Sequence, residues 1–147
     1  EFEKNSESCI GFQFHEDYVK WLEQMKQRKE GKTLPTGYVR ENFYLCYEGK
    51  QLIGVFSLKF ELTDYLLHYG GHIGYAVRPS KRNKGYATQI LKQGLMIAKD
   101  YHFTRILAVV NQNNIASIRV IEKNKGKLEN EIFDPHENLY VKRYWFQ

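Results

Sequence analysis

Arg78-Pro79-Ser80-Lys81-Arg82-Asn83-Lys84-Gly85-Tyr86-Ala87-Thr88 is the stretch that decides how this chain is read. To its left lies His72-Ile73-Gly74-Tyr75-Ala76-Val77, a short strand-forming run. To its right, from about Gly85 to Lys99, apolar Ile90, Leu91, Leu95 and Ala98 fall on one side of a helix. The stretch is therefore a strand-to-helix turn. A helix start leaves its first backbone N–H groups unpaired and carries partial positive charge. Gly85 lets the backbone come close to a ligand. Arg78, Lys81, Arg82 and Lys84 add four cations. Together these features describe a phosphate-binding turn. Neither G-x-x-x-x-G-K-[ST] nor G-x-G-x-x-G occurs, which removes the NTPase loop and the dinucleotide fingerprint. A solvated basic turn before an ordinary helix is the plainer alternative.

Working outward, Arg105 to Val110 is the most β-rich run and reads as a buried strand. The strand–helix–strand from His72 to Val110 predicts a right-handed crossover between parallel or nearly parallel neighbours. Asn114 to Asn124 reads as a short helix closed near Gly126, with Asn114 as a natural N-cap. Lys127 to Phe133 and Leu139 to Phe146 read as two last strands about Asp134-Pro135. Upstream, Phe43 to Tyr47 and Leu52 to Phe60 flank Glu48-Gly49-Lys50 as a hairpin. Phe14 to Arg28 reads as a helix, with Tyr18, Trp21, Leu22 and Met25 at helical spacing and Gly31 as its stop. The order is helix, three strands, helix, strand, helix, two strands: a mixed α/β domain without repeats or linker.

Length and composition agree with one domain over residues 1–147. Aromatic residues make up 15%, too many for a disordered chain. The longest apolar stretch, Ile106 to Val110, is far short of the roughly 20 residues of a membrane span. Glu1 to Ser8 is polar and charged, unlike a secretory signal. Cys9 and Cys46 are far apart with no C-x-x-C pair, which excludes a disulfide scaffold, points away from a metal site and fits a reducing, cytoplasmic setting. The net charge of +5 suggests an anionic partner. No helix-turn-helix, zinc or RNP pattern supports nucleic acid as that partner.

Arg82-x-x-Gly85-x-Ala87 resembles the R/Q-x-x-G-x-G/A signature of the GNAT superfamily of N-acetyltransferases. Ile73 to Val77 followed by Arg78-Pro79 is similar to that family's fourth strand and its exit. Asn114-Ile115-Ala116-Ser117 through Glu122-Lys123-Asn124-Lys125-Gly126 is similar to its N-x-x-[AS] helix. Leu34-Pro35-Thr36-Gly37-Tyr38-Val39, Tyr69 to Tyr75 and Arg143-Tyr144-Trp145 further resemble one bacterial subgroup, so the likeness covers nearly all of the chain.

The resemblance implies a mixed, mostly antiparallel central sheet with a parallel splayed strand pair and flanking helices. Against that pattern the first strand and helix are expected to be missing before Glu1, about six and about twelve residues by typical lengths. It implies acetyl-CoA as cosubstrate, no metal, and a primary amine as acceptor. Main chain from Arg82 through Asn83, Lys84, Gly85, Tyr86, Ala87 and Thr88 would hold the pyrophosphate, with Arg82 and Lys84 side chains assisting. The pantetheine arm would lie between the two splayed strands and bond to main chain at Ala76 and Val77. Asn114 would line the arm, and Ser117 would face the thiol. Transfer would be direct, within a ternary complex. Glu61, His68, His72 and Tyr75 are the candidates for the base. Many members carry a tyrosine seven residues after the asparagine as the acid that protonates the leaving thiolate. Ile121 stands there in this chain, with Tyr140 and Tyr144 as other phenols. That departure also leaves open a CoA-binding sensor without transfer. The aromatic last strand is a candidate edge for pairing with a second copy.

Overall fold

The computed structural model describes residues 1–5, 17–32 and 34–147. Cys9 and the first turn expected for the opening helix, 14–16, fall outside them. The elements run α1 (Tyr18–Glu30), β1 (Glu41–Glu48), β2 (Gln51–Lys59), β3 (Ile73–Val77), α2 (Tyr86–Asp100), β4 (Ile106–Asn111), α3 (Ile115–Lys123), β5 (Lys127–Asp134) and β6 (Leu139–Phe146). This is the order expected from the sequence. The Asp17 carboxylate caps α1 by accepting from the amides of Val19 and Lys20, and Gly31 closes it. The apolar stripe of α1 is mostly not a buried face. Trp21 alone is buried, edge-on to Phe43 at 5.6 Å, while Tyr18 is 61% exposed.

The strands form two antiparallel three-stranded sheets, β1-β2-β3 and β4-β6-β5. Helix α2 packs Ile90, Leu91, Gly94 and Ala98 into a core with Phe56, Leu58, Ile106 and Tyr144. A Cβ at Gly94 would stand 2.3 Å from the Phe56 ring, so this position holds α2 close to β2. Gly94→Ala is expected to destabilise by about 1–3 kcal/mol through overpacking, read as a lower midpoint in urea with an unchanged slope.

The β3–α2–β4 crossover does not produce a ladder. β3 and β4 touch only where β3 begins. There the His72 amide donates to the Leu107 carbonyl at 2.9 Å, and Gly71 bridges Ala108. Gly71 has φ +73, and a Cβ there would lie 2.8 Å from the Leu107 carbonyl oxygen, so only glycine allows this approach. Beyond it the strands belong to separate sheets, which leaves a gap between them. β6 lies between β4 and β5 and is paired along both sides. The last strand therefore has no free edge for a second copy, contrary to expectation. Among the described residues, no helix is long and apolar enough to cross a membrane.

Candidate active site

The turn after β3 is built as its residues dictate. Pro79–Lys81 make one 3-10 turn, Asn83 takes φ 60, and Gly85 takes φ +83 just before α2. No side chain caps α2, so the opening amides of Tyr86, Ala87 and Thr88 are left for another partner. These residues line a cleft of about 660 Å³ that runs along β3 to the start of α3. Tyr75, Ala76, Val77, Arg82, Asn83, Gly85, Asn114 and Ser117 line it as well. Among the described residues, Lys81, Arg82, Arg119 and Lys123 contribute four cations to this lining, and no Asp or Glu does. Arg119 and Lys123 line the cleft, and the sequence motifs did not single them out. Their spacing of four on one helix face was the available signal. Lys84 is exposed and does not line the cleft. Arg78 is taken by the Glu1 carboxylate and the Leu52 carbonyl. The Arg82 guanidinium donates through Nε to the Val77 carbonyl at 3.2 Å and lies 5.6 Å from the Phe2 ring.

The β2–β3 register decides which main chain faces this cleft. The Lys59 amide donates to His72 and the Arg78 amide donates to Ile53. In an antiparallel ladder such bonds alternate, so Gly74 and Ala76 also point toward β2. Tyr75 and Val77 present their peptide groups to the gap. Ala76 lines the cleft, but its polar atoms belong to the ladder. The strand-like contact expected at Ala76 has no open peptide group there; the open edge of β3 is at Tyr75 and Val77.

A second cleft, of about 570 Å³, opens between α1, β2, β3 and β4. The two clefts share Tyr75, Asn114 and Ser117. Asn114 is a helix cap, its Oδ1 accepting from the Ser117 amide at 3.1 Å, and it lines both clefts. The Tyr75 hydroxyl reaches across the gap and donates to the Ser117 carbonyl at 3.3 Å. Burial pushes its pKa up to about 12, with the Ser117 contact opposing. The phenol is thus a hydrogen-bond donor at neutral pH and a poor base. Ile121 is 1% exposed and forms part of the second cleft's apolar wall.

The other base candidates stand apart from the junction. Glu61 accepts from the Arg40 amide at 3.4 Å and lines neither cleft. His68 is bound at its Nδ1 by the Asp64 carbonyl, 2.8 Å away. His72 is buried among Phe103 and Trp145, and its Nδ1 accepts from the Leu107 amide at 2.9 Å. It therefore clamps β3 to β4 and does not face a substrate. Tyr144 is buried and donates to Glu122, and Tyr140 is exposed away from both clefts.

Burial, with Lys59 adding to it, lowers the His72 pKa from 6.5 to about 4. The unfolded chain thus binds the extra proton first as pH falls. The contribution to stability is whole above about pH 6.5 and drains away between 6.5 and 4, amounting to up to about 3 kcal/mol. Tm should fall across that window, and His72→Asn, which keeps an acceptor for Leu107 without the titration, should flatten the slope.

The comparisons bear on this geometry. The spermidine N-acetyltransferase SpeG of Vibrio cholerae (F149A mutant) superposes with a TM-score of 0.61 at 19% identity, covering 99% of this chain and 85% of that one. The Campylobacter jejuni N-acetyltransferase PseH in complex with acetyl coenzyme A gives 0.64 at 14%, covering 89% and 79%. A Bacillus subtilis acetyltransferase in complex with CoA gives 0.57 at 17%, covering 74% and 77%. At these identities the likeness is one of fold. No curated protein matches the chain. The acetyltransferase (GNAT) family model matches residues 9–126, most of the chain, including the α2 turn, both splayed strands and α3. With that match, an uncapped cationic helix start and a gap between two sheets, the chain belongs to the GNAT family of acetyltransferases.

Proposed function

We propose that the protein moves an acetyl group from acetyl-CoA directly to a primary amine, with both substrates bound at once. The observation that carries this reading is the meeting of two clefts at Tyr75, Asn114 and Ser117. One cleft has the charge and the free amides for a diphosphate-bearing cosubstrate. The other leaves room for an acceptor beside the same three residues.

In this reading the amides of Tyr86 to Thr88, with Arg82, Arg119 and Lys123, hold the phosphates. The Tyr75 peptide group and the Val77 amide bond the arm as an added strand would. An amide on that edge also faces the oxygen on which charge develops. The amine nitrogen bonds to the acetyl carbon, the carbon–sulfur bond breaks, and the nitrogen's proton ends on sulfur. Tyr75, protonated at neutral pH, is the donor nearest that step. Of the base candidates only Tyr75 lines the junction, and its phenol is protonated at neutral pH, so the ammonium loses its proton to solvent in the open cleft. The half-buried Cys46 thiol fits a reducing, cytoplasmic setting.

The test is release of free thiol from acetyl-CoA in the presence of an amine panel. Turnover is expected, with kcat/KM climbing steadily with pH toward the acceptor's own pKa of about 10. CoA binding without transfer to any amine would favour a sensor. A plateau near pH 7 would show a base that the reading lacks.

A further inference from the structure

The second cleft holds a charge arrangement that the transfer chemistry does not use. The Glu41 carboxylate, with its side chain 10% exposed, is held by Lys59 at 3.0 Å and by Arg28 at 3.4 Å. All three residues line the cleft. They come from three elements: Arg28 from α1, Glu41 from β1 and Lys59 from β2. Among the described lining residues Glu41 is the only acid, and Arg28 and Lys59 are the only bases of Lys or Arg type. Two cations against one carboxylate leave the cleft with a surplus positive charge. Both cations remain reachable, at 20% and 23% side-chain exposure. Arg28 also stacks over the Tyr38 ring at 4.7 Å, which fixes its guanidinium at the wall. Asp134 and Glu137 act on Tyr65, another wall residue, but neither lines the cleft. A dicationic acceptor would meet like charge here, and like-charge juxtaposition is a strong means of exclusion.

The triad also sits at a definite remove from the chemistry. Lys59 donates its amide to His72, three residues before Tyr75 on the same strand run. At strand rise that is roughly 10 Å. An amine at Tyr75 and an anion at Lys59 and Arg28 would thus belong to one molecule several bonds long.

Building on the transferase reading, we infer that the acceptor is an amine carrying a carboxylate at its far end, bound by Lys59 and Arg28, and not a diamine or polyamine. The test compares three six-carbon amines with acetyl-CoA: ε-aminocaproate, hexylamine and hexamethylenediamine. ε-Aminocaproate should show kcat/KM at least about tenfold above each of the others, a factor worth about 1.4 kcal/mol. Lys59→Met, and separately Arg28→Met, should collapse that preference to within about threefold, whereas Glu41→Gln should widen it. Equal use of all three amines, or preference for the diamine, overturns the inference while leaving the transferase reading intact. A preference that survives both methionine variants also overturns it. Calorimetry of ε-aminocaproate against the CoA-saturated protein gives a readout apart from turnover. Binding that Lys59→Met weakens by about tenfold or more supports the carboxylate site even if transfer fails, and no binding refutes it.

Discussion

Replacing Tyr75 by phenylalanine lowers kcat for acetyl transfer by about a hundredfold, within the range usual for losing a positioned proton donor. The phenyl ring stays, so packing between β3 and α3 is kept and only the hydroxyl goes. That hydroxyl is the one side-chain O–H from β3 at the junction of the two clefts, and it bonds across the gap to Ser117. Its high pKa keeps it protonated where a leaving thiolate needs a partner. The affinity for CoA should change by no more than about twofold, because the proposed phosphate contacts lie at the far end of the cleft. Stopped-flow or steady-state kinetics with calorimetry on the same sample separates the two quantities. A kcat within about threefold of the parent would remove Tyr75 from the chemistry. In that case the position occupied by Ile121 would have no functional substitute on β3.

Placing an acid at the start of α2 is the second large effect. Ala87 lies in the first turn and lines the cationic cleft. In Ala87→Glu the new carboxylate meets the helix N-terminus, which favours negative charge by about 0.3–1 kcal/mol. The fold should therefore be as stable as before, or slightly more so. The same carboxylate competes for the amides and cations that a diphosphate needs. The affinity for CoA should drop by at least about a hundredfold, or about 2.7 kcal/mol. Stability and binding move in opposite directions here, which an ordinary destabilising substitution cannot imitate. An affinity within about threefold of the parent would show that the phosphates bind elsewhere.

The uncapped, cationic turn before α2 was legible because its features are local. Lys81, Arg82, Gly85 and the start of α2 are neighbours in the chain and line one cleft. The same holds for Asn114, whose cap on Ser117 needs only three residues of separation. The second cleft was not legible, because it depends on which faces of distant elements meet. Arg28, Glu41 and Lys59 lie on three separate elements, and nothing in their local patterns brings them together. His72 shows the opposite failure. Its place at the start of β3 suggests a base, yet its lone pair is taken by an amide 35 residues away. Tyr18 and Leu22 keep the helical spacing of a buried stripe but stay exposed, since α1 lies against β1 chiefly through Trp21. The aromatic last strand looked like a free edge. Its central place in the second sheet could be known only from the pairing of β4 and β5 on either side.

Backbone amide exchange, measured residue by residue with and without acetyl-CoA, tests the placement of the cosubstrate most directly. Tyr86, Ala87 and Thr88 should slow by about tenfold or more on saturation, together with Val77 on the open edge of β3. Protection confined to other parts of the chain, with these four amides exchanging as before, would contradict it.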